Sequence, residues 1–271
     1  MIEFITRKLG ISRATLKANV VFGLFLFFST SCSPGPEDEP LNQDPEIDIS
    51  AILQKSVAPG QHPTLPSLTT FYQGSDVTGY LHHFYDIEGR PLLEIGFNSQ
   101  KDTVGFTTFH FTDTGLLNSK AEYSFQNLTH PFTTLEYHYD NAGRLKQILR
   151  DGNNFELYEY NTAGQISKIS LGSNPGLFYL FEYDEKGRIS RQVYVAENQY
   201  DTPFRDWYFG YDDGGLLISK SVPVSNTERR PMFEYRYDTK KRLVEEIEYY
   251  PEHGFALWLW KALQYDGLDG F

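Results

Sequence analysis

The sequence predicts an all-β chain: an antiparallel meander of repeated β-hairpins that forms a curved, spiral-like or partly closed sheet. Three observations predict it. First, a Tyr-Asp-x-x-Gly-Arg-Leu motif recurs in phase, with copies beginning at Tyr85, Tyr139, Tyr160, Tyr183, Tyr211, Tyr237 and Tyr265 and a degenerate one at Phe111. Tyr85 to Tyr265 spans 180 residues over seven intervals, a period of about 26 residues, in the range of repeat architectures. Second, a unit of that size holds two strands and two turns but is too short for a βαβ crossover. Third, the motif flanks alternate: Leu135, Tyr137 and Tyr139 are interleaved with Glu136 and His138, the period-two signature of a strand.

The motif's own chemistry is that of a turn. Asp at the first turn position can accept hydrogen bonds from the backbone two residues on, and Gly at the fourth adopts positive φ without a steric penalty. Asp86 and Gly89, Asp140 and Gly143, and Asp184 and Gly187 are such pairs, whereas Asp238 is followed by Lys241 instead of glycine. A type I turn closed by a glycine bulge is a common hairpin loop. It places Tyr139 opposite Leu145, Tyr160 opposite Ile166, Tyr183 opposite Ile189, Tyr211 opposite Leu217 and Tyr237 opposite Leu243. Stacked at about 4.8 Å per strand, these pairs form an aromatic and aliphatic ladder, each contributing roughly 0.2–1 kcal/mol. The repeated tyrosines are therefore read as scaffold.

Taken in order, residues 1–31 read as a secretory signal. Arg7, Lys8, Arg13 and Lys17 precede an apolar run from Val20 to Phe28, too short for an ordinary membrane span. Residues 32–66 form a tether. Seven prolines lie between Pro34 and Pro66 and deny regular structure to most of it. Its one apolar island, Ile47 to Lys55, could dock on the sheet as a short helix or strand. The repeat domain covers 67–271, with a first hairpin near Gly74 and about sixteen strands. Its Tyr-Asp turns lie at one constant edge, and irregular connections such as Gln126–Pro131 and Glu197–Pro203 lie at the other. The lone cysteine, Cys32, rules out an internal disulfide.

Charge and motifs bound the chemistry. The chain carries −12, and residues 1–31 carry four basic residues and Glu3, so the remainder stands at −15. That repels nucleic acid, and no basic stripe offsets it. No phosphate loop, nucleophile elbow or His-Glu-x-x-His motif is present, and adjacent strand residues such as His82 and His83 point to opposite faces. No catalytic residue, metal ligand or cofactor is therefore assigned. The ligand-platform candidates are Trp207, Trp258 and Trp260, since aromatic rings suit sugar faces; Trp258 and Trp260 equally suit a terminal strand sealing the stripe. A membrane barrel would need one apolar face on every strand. Here Glu136, His138 and Lys146 are expected on one face, with Gln147 and Arg191 on the other.

Tyr137-His138-Tyr139-Asp140-Asn141-Ala142-Gly143-Arg144-Leu145 resembles the YD repeat of RHS-type proteins at every signature position. Phe181 to Ile189 and Tyr85 to Arg90 are close matches, and the resemblance covers nearly everything after the tether. Large RHS and teneurin-like proteins build spiral shells from such repeats. This chain has too few repeats to imply a closed shell, and it resembles the small YD-repeat lipoproteins of Bacteroidetes-type bacteria. Ser29-Thr30-Ser31-Cys32 resembles a lipobox, departing from it at Ser29, which would make Cys32 the lipidated first residue; ordinary secretory cleavage nearby is the alternative. Glu37-Asp38-Glu39 resembles a lipoprotein surface-export signal. The resemblance implies an outer-membrane lipoprotein that is a non-enzymatic binding or structural module, with the membrane and a glycan or protein as partners. A cell-surface glycan-processing enzyme using carboxylates gathered from several strands is the alternative, and a toxin-associated fragment is a third reading.

Overall fold

Sixteen antiparallel strands follow one another around a closed barrel, each hydrogen-bonded to its neighbours in sequence. This computed structural model describes residues 47–58, 60–172, 174, 176–196, 206–225, 227–250 and 256–265, and for 250, 256–258 and 260 the backbone alone. The strands are β1 (Leu68–Gln73), β2 (Asp76–Tyr85), β3 (Pro91–Asn98), β4 (Thr103–Phe111), β5 (Leu117–Ser124), β6 (Thr133–Tyr139), β7 (Leu145–Arg150) and β8 (Asn153–Tyr160). The second half comprises β9 (Ile166–Leu171), β10 (Leu177–Tyr183), β11 (Ile189–Ala196), β12 (Asp206–Tyr211), β13 (Leu217–Pro223), β14 (Arg229–Tyr237), β15 (Leu243–Tyr250) and β16 (Ala256–Gln264). Closure comes from β1 pairing with β16, from Leu68 opposite Gln264 to Gln73 opposite Leu259. The repeats thus close on themselves instead of spiralling onward, which leaves no edge strand to pair with another chain.

Every expected register across the Tyr-Asp turns is present. Tyr139 faces Leu145, Tyr160 Ile166, Tyr183 Ile189, Tyr211 Leu217 and Tyr237 Leu243, each with a bulge next to the tyrosine. The turns carry the expected chemistry. Asp140 Oδ1 accepts from the Ala142 and Arg144 amides at 2.9 Å each, and its Oδ2 accepts from Arg144 Nε at 2.8 Å. Gly143 sits at φ 75°. Where glycine is missing, Lys241 takes the left-handed conformation itself, at φ 63°. The degenerate copy folds the same way, the Thr112 hydroxyl accepting from the Leu116 amide at 3.1 Å in place of a carboxylate.

The turns also connect to one another. Arg144 lies 4.4 Å from the ring centroid of Tyr160 in the next repeat. Arg188 stands likewise over Tyr211 at 4.3 Å, and Arg242 over Tyr265 at 4.4 Å. Each tyrosine hydroxyl then donates back to the first strand residue after the preceding turn: Tyr160 to Leu145 O, Tyr183 to Ile166 O, Tyr211 to Ile189 O, Tyr237 to Leu217 O and Tyr265 to Leu243 O. The rim is a chain of phenol-to-carbonyl bonds that runs from repeat to repeat, joined by a carboxylate and guanidinium at the Asp140, Asp184 and Asp238 turns, whereas Gln165 and Leu216 hold the arginine's place at the other two.

Two predictions arise here. Phe111 interrupts the chain, because it holds a tyrosine's place without a hydroxyl. By the pattern, Phe111→Tyr would donate to Pro91 O and raise stability by about 1 kcal/mol, the net value of a typical hydrogen bond; an unchanged or lower urea midpoint would contradict the rim chain. The second concerns alkali. Burial raises the phenol pKa of Tyr139 and Tyr183, and of Tyr211 against the opposing pull of Arg188. A raised folded pKa stabilises the protein below the unfolded value of about 10 and is lost as pH climbs through the folded value. The barrel should therefore lose stability steeply above pH ~10, checked by denaturant midpoints from pH 8 to 12.

The two faces of the sheet differ. Trp207 on β12 and Phe233 on β14 belong to strands about 10 Å apart, with β13 between them, yet their ring centroids are 5.7 Å apart. Side chains converge like this on the concave side of a curved sheet, so this face lines the inside. Register carries the assignment around the barrel: Leu135, Tyr137 and Tyr139 face inward, and Glu136 and His138 face outward. Gln147 is opposite His138 and Arg191 opposite Glu182, so both belong to the outer face. This corrects the expectation that they would oppose His138; the bulge at each turn adds one residue and shifts the phase that simple alternation assumes.

The densest apolar core lies on the outer face. Helix α1 (Ile49–Lys55) is capped by Asp48, which accepts from the Ala51 amide at 3.0 Å. Its Leu53 packs with Phe84, Leu93, Ile95, Phe97 and Phe106 of β2 to β4. These strand residues alternate with the inward-facing His83 and Glu94. The apolar island therefore docks as a helix outside the wall and does not plug the barrel. The following segment crosses the turn rim towards β1. The Val57 amide donates to Tyr85 O at 2.9 Å, His62 Nε2 to Asp86 O at 2.8 Å, and Arg242 to Pro63 O at 2.7 Å.

Candidate functional site

The inner wall between β5 and β15 concentrates the groups suited to binding. Alternation places Tyr137 and Tyr158 on it, then Tyr179 and Tyr194, whose rings stand 5.4 Å apart. Trp207, Phe209, Phe233 and Tyr235 continue the surface. Carboxylates and amines are interleaved. Glu122 pairs with Lys120 at 2.7 Å and Glu246 with Lys261 at 3.0 Å, and Glu156 accepts from the Tyr158 hydroxyl. Burial raises the pKa of Tyr158, with the hydrogen bond to Glu156 adding to it, and burial followed by nearby Glu246 raises that of Tyr235. Both phenols are therefore neutral donors at physiological pH. Flat apolar faces beside neutral hydroxyls and carboxylates are the groups that recognise a polyhydroxylated ring.

A second cluster lies on β1 to β3. Thr69 Oγ1 is 2.8 Å from His83 Nε2, and His83 Nδ1 is 2.9 Å from Glu94 Oε1. Hydroxyl, imidazole and carboxylate in that order is the arrangement of a nucleophilic relay. Accessibility argues against Thr69 as a nucleophile. Thr69 is only 4% exposed, and the shallow recess beside it is lined by His62, Ser67, His83 and Tyr85 but not by Thr69. The relay is a satisfied polar network that joins three strands where the barrel closes. Positions 69, 83 and 94 occupy successive strands on one face, so assigning register from Gly74 onward would have brought them together.

Of the tryptophan candidates, Trp207 stands on the inner wall against Phe233. Trp258 and Trp260 lie on β16, with Trp260 at a register position opposite Tyr72 and Ile247; their side chains lie outside the described residues, as does Cys32. His82 and His83 do point apart. His82 packs on Phe97 at 4.8 Å between centroids, on the outer side. Among the described residues no group of three or more His, Cys, Asp and Glu could hold a metal ion.

A family model described as teneurin YD-shell matches residues 67–204, and no curated protein matches the chain. Among solved structures, it is similar to TcdB2-TccC3 without its hypervariable C-terminal region, at 17% identity and TM-score 0.32, over 64% of this chain and 9% of that one. A Photorhabdus luminescens Tc holotoxin pore gives the same figures. A porin-like protein from Bacteroides uniformis is 12% identical with TM-score 0.39, over 74% of this chain and 98% of its own. The chain thus spans about a tenth of the length of the toxin chains it resembles.

Proposed function

The chain belongs to the teneurin YD-shell family, and from that premise we propose that it is a non-enzymatic binding module, held at the outer membrane through Cys32, whose inner wall takes up a glycan. The observation that carries this is the run of aromatic rings from Tyr137 to Tyr235 on the concave face, interleaved with neutral phenols and carboxylates. The carboxylates Glu94, Glu122, Glu156 and Glu246 are each already engaged by a partner, which speaks for recognition over acid–base cleavage. The outer wall carries ion pairs, Lys168 with Glu159, Arg191 with Glu182 and Arg236 with Glu245. A lipid-facing barrel keeps an apolar band there, so this wall suits water, with attachment through the lipidated cysteine.

A glycan array with the chain from Ser33 onward tests the reading. Saturable binding to a glycan class is expected, with a loss of at least about tenfold in affinity for Trp207→Ala, as for a central aromatic contact, while the circular dichroism spectrum stays unchanged. Membrane fractionation of Cys32→Ser cells tests the anchor; retention of the variant in the membrane would count against it. Hydrolysis of any bound glycan by the wild-type chain would overturn the non-enzymatic reading.

A further inference from the structure

The inner wall holds one amine in a setting unlike the others. Lys220 on β13 is flanked in register by Phe209 of β12 and Phe233 of β14. Its Nζ is 5.5 Å and 5.7 Å from their ring centroids. It forms no hydrogen bond or ion pair among the described residues. The nearest acid that influences it, Glu246, is already occupied by Lys261 at 3.0 Å. The other groups facing it are Trp207, Tyr235 and Glu248, which follow from the same alternation. Its ammonium is thus half-buried between two phenyl rings, with its water partly stripped and no carboxylate of its own.

We propose that Lys220 is a nucleophilic amine that captures small aldehydes as an imine on the inner wall. In the step, the neutral Nζ lone pair attacks the carbonyl carbon, the carbonyl oxygen takes up a proton, and the carbinolamine loses water to form the C=N bond. No oxidant or reductant is consumed. Partial burial favours this chemistry because a partly dehydrated site disfavours the charged amine, and it acts against the attraction of the two ring faces for the ammonium. Burial does lower the Lys220 pKa, and Glu246 only partly opposes it. Lys120, Lys168 and Lys261 are each held by a carboxylate and lack this activation. The inference does not depend on glycan binding, although the open-chain aldehyde of a reducing sugar belongs to the same chemical class.

The test is reductive trapping. The full chain is incubated at pH 7 with glyceraldehyde and cyanoborohydride, which fixes an imine as a secondary amine, and the sites are mapped by peptide mass spectrometry over time. Lys220 is expected to be alkylated first, ahead of the exposed Lys146, and Lys220→Met is expected to lose the fast phase while other sites react as before. Alkylation of Lys220 no faster than Lys146 would overturn the proposal, as would a fast phase that survives in Lys220→Met. Methionine preserves the apolar stem between the rings, and an unchanged urea midpoint confirms that the loss reports the amine. Because the probe is a small aldehyde, a negative glycan array leaves the outcome unaffected.

Discussion

Leu93→Ala is expected to lower the unfolding free energy by about 3 kcal/mol, within the range of roughly 2–5 for buried leucines. Leu93 is fully buried at 0% exposure, between Phe84, Ile95, Phe97 and Phe106 of the outer wall and Leu53 of helix α1. Truncation there leaves a cavity bounded by a sheet and by a helix only seven residues long. A helix of that length is unstable alone, so its order depends on this contact. The loss should therefore appear in two measurements. The urea midpoint should fall, and amide exchange at Ile52 and Leu53 should quicken more than exchange in β9 to β11. A change confined to the midpoint, with helix exchange untouched, would mean that the helix is held by the Val57, His62 and Pro63 contacts at the rim and not by its apolar face.

Asp86→Ala should cost about 2–3 kcal/mol, more than any equivalent change at an exposed turn. Asp86 is 7% exposed. Its Oδ1 accepts from the Glu88 amide at 3.0 Å and the Arg90 amide at 2.8 Å, and Arg90 Nε donates to Oδ2 at 2.6 Å. Bonds to a charged acceptor contribute about 1.5–3 kcal/mol in favourable cases. The guanidinium is 39% exposed, so its ion pair is discounted for screening and the two amides dominate. Asp86→Asn, which keeps an acceptor at Oδ1, should cost about half as much.

The pH dependence separates this account from simple truncation. Burial works to raise the Asp86 pKa, but the hydrogen bonds from the Arg90 backbone and side chain outweigh it and leave the carboxyl below its ordinary value. A lowered folded pKa contributes stability above the unfolded value of about 3.9 and loses it as pH falls through the folded value. Wild type and Asp86→Ala should thus converge in stability below pH ~4 and differ fully at neutral pH. Parallel curves would show that Asp86 acts without its charge.

How much of this was legible depended on the range of the interaction involved. The turn at Asp140 to Gly143 is local, and so is the pairing of Tyr139 with Leu145; both follow from residues within nine positions of each other. The missing glycine at Lys241 was legible as an exception, though not that lysine would adopt the left-handed conformation there. The Arg144 to Tyr160 contact, by contrast, joins consecutive repeats and has no mark within either. The relay of Thr69, His83 and Glu94 was within reach, since register from the first hairpin places the three on one face. Neither their hydrogen bonds nor the burial that removes Thr69 from solvent could be read without coordinates. Gln147 and Arg191 were placed on the wrong face because a bulge breaks simple alternation.

Local order along the chain determined the meander, its turns, its pairings and its family, because a hairpin encodes its own geometry within a few residues. Closure, the direction of curvature and the inner or outer position of each stripe were decided in three dimensions. They depend on how sixteen strands sum their twist, and on β1 meeting β16 across nearly two hundred residues of sequence. The same summation brings Trp207 against Phe233, since only the curved wall brings side chains of strands two places apart within reach of one another, and tertiary packing likewise leaves Leu93 beneath the helix.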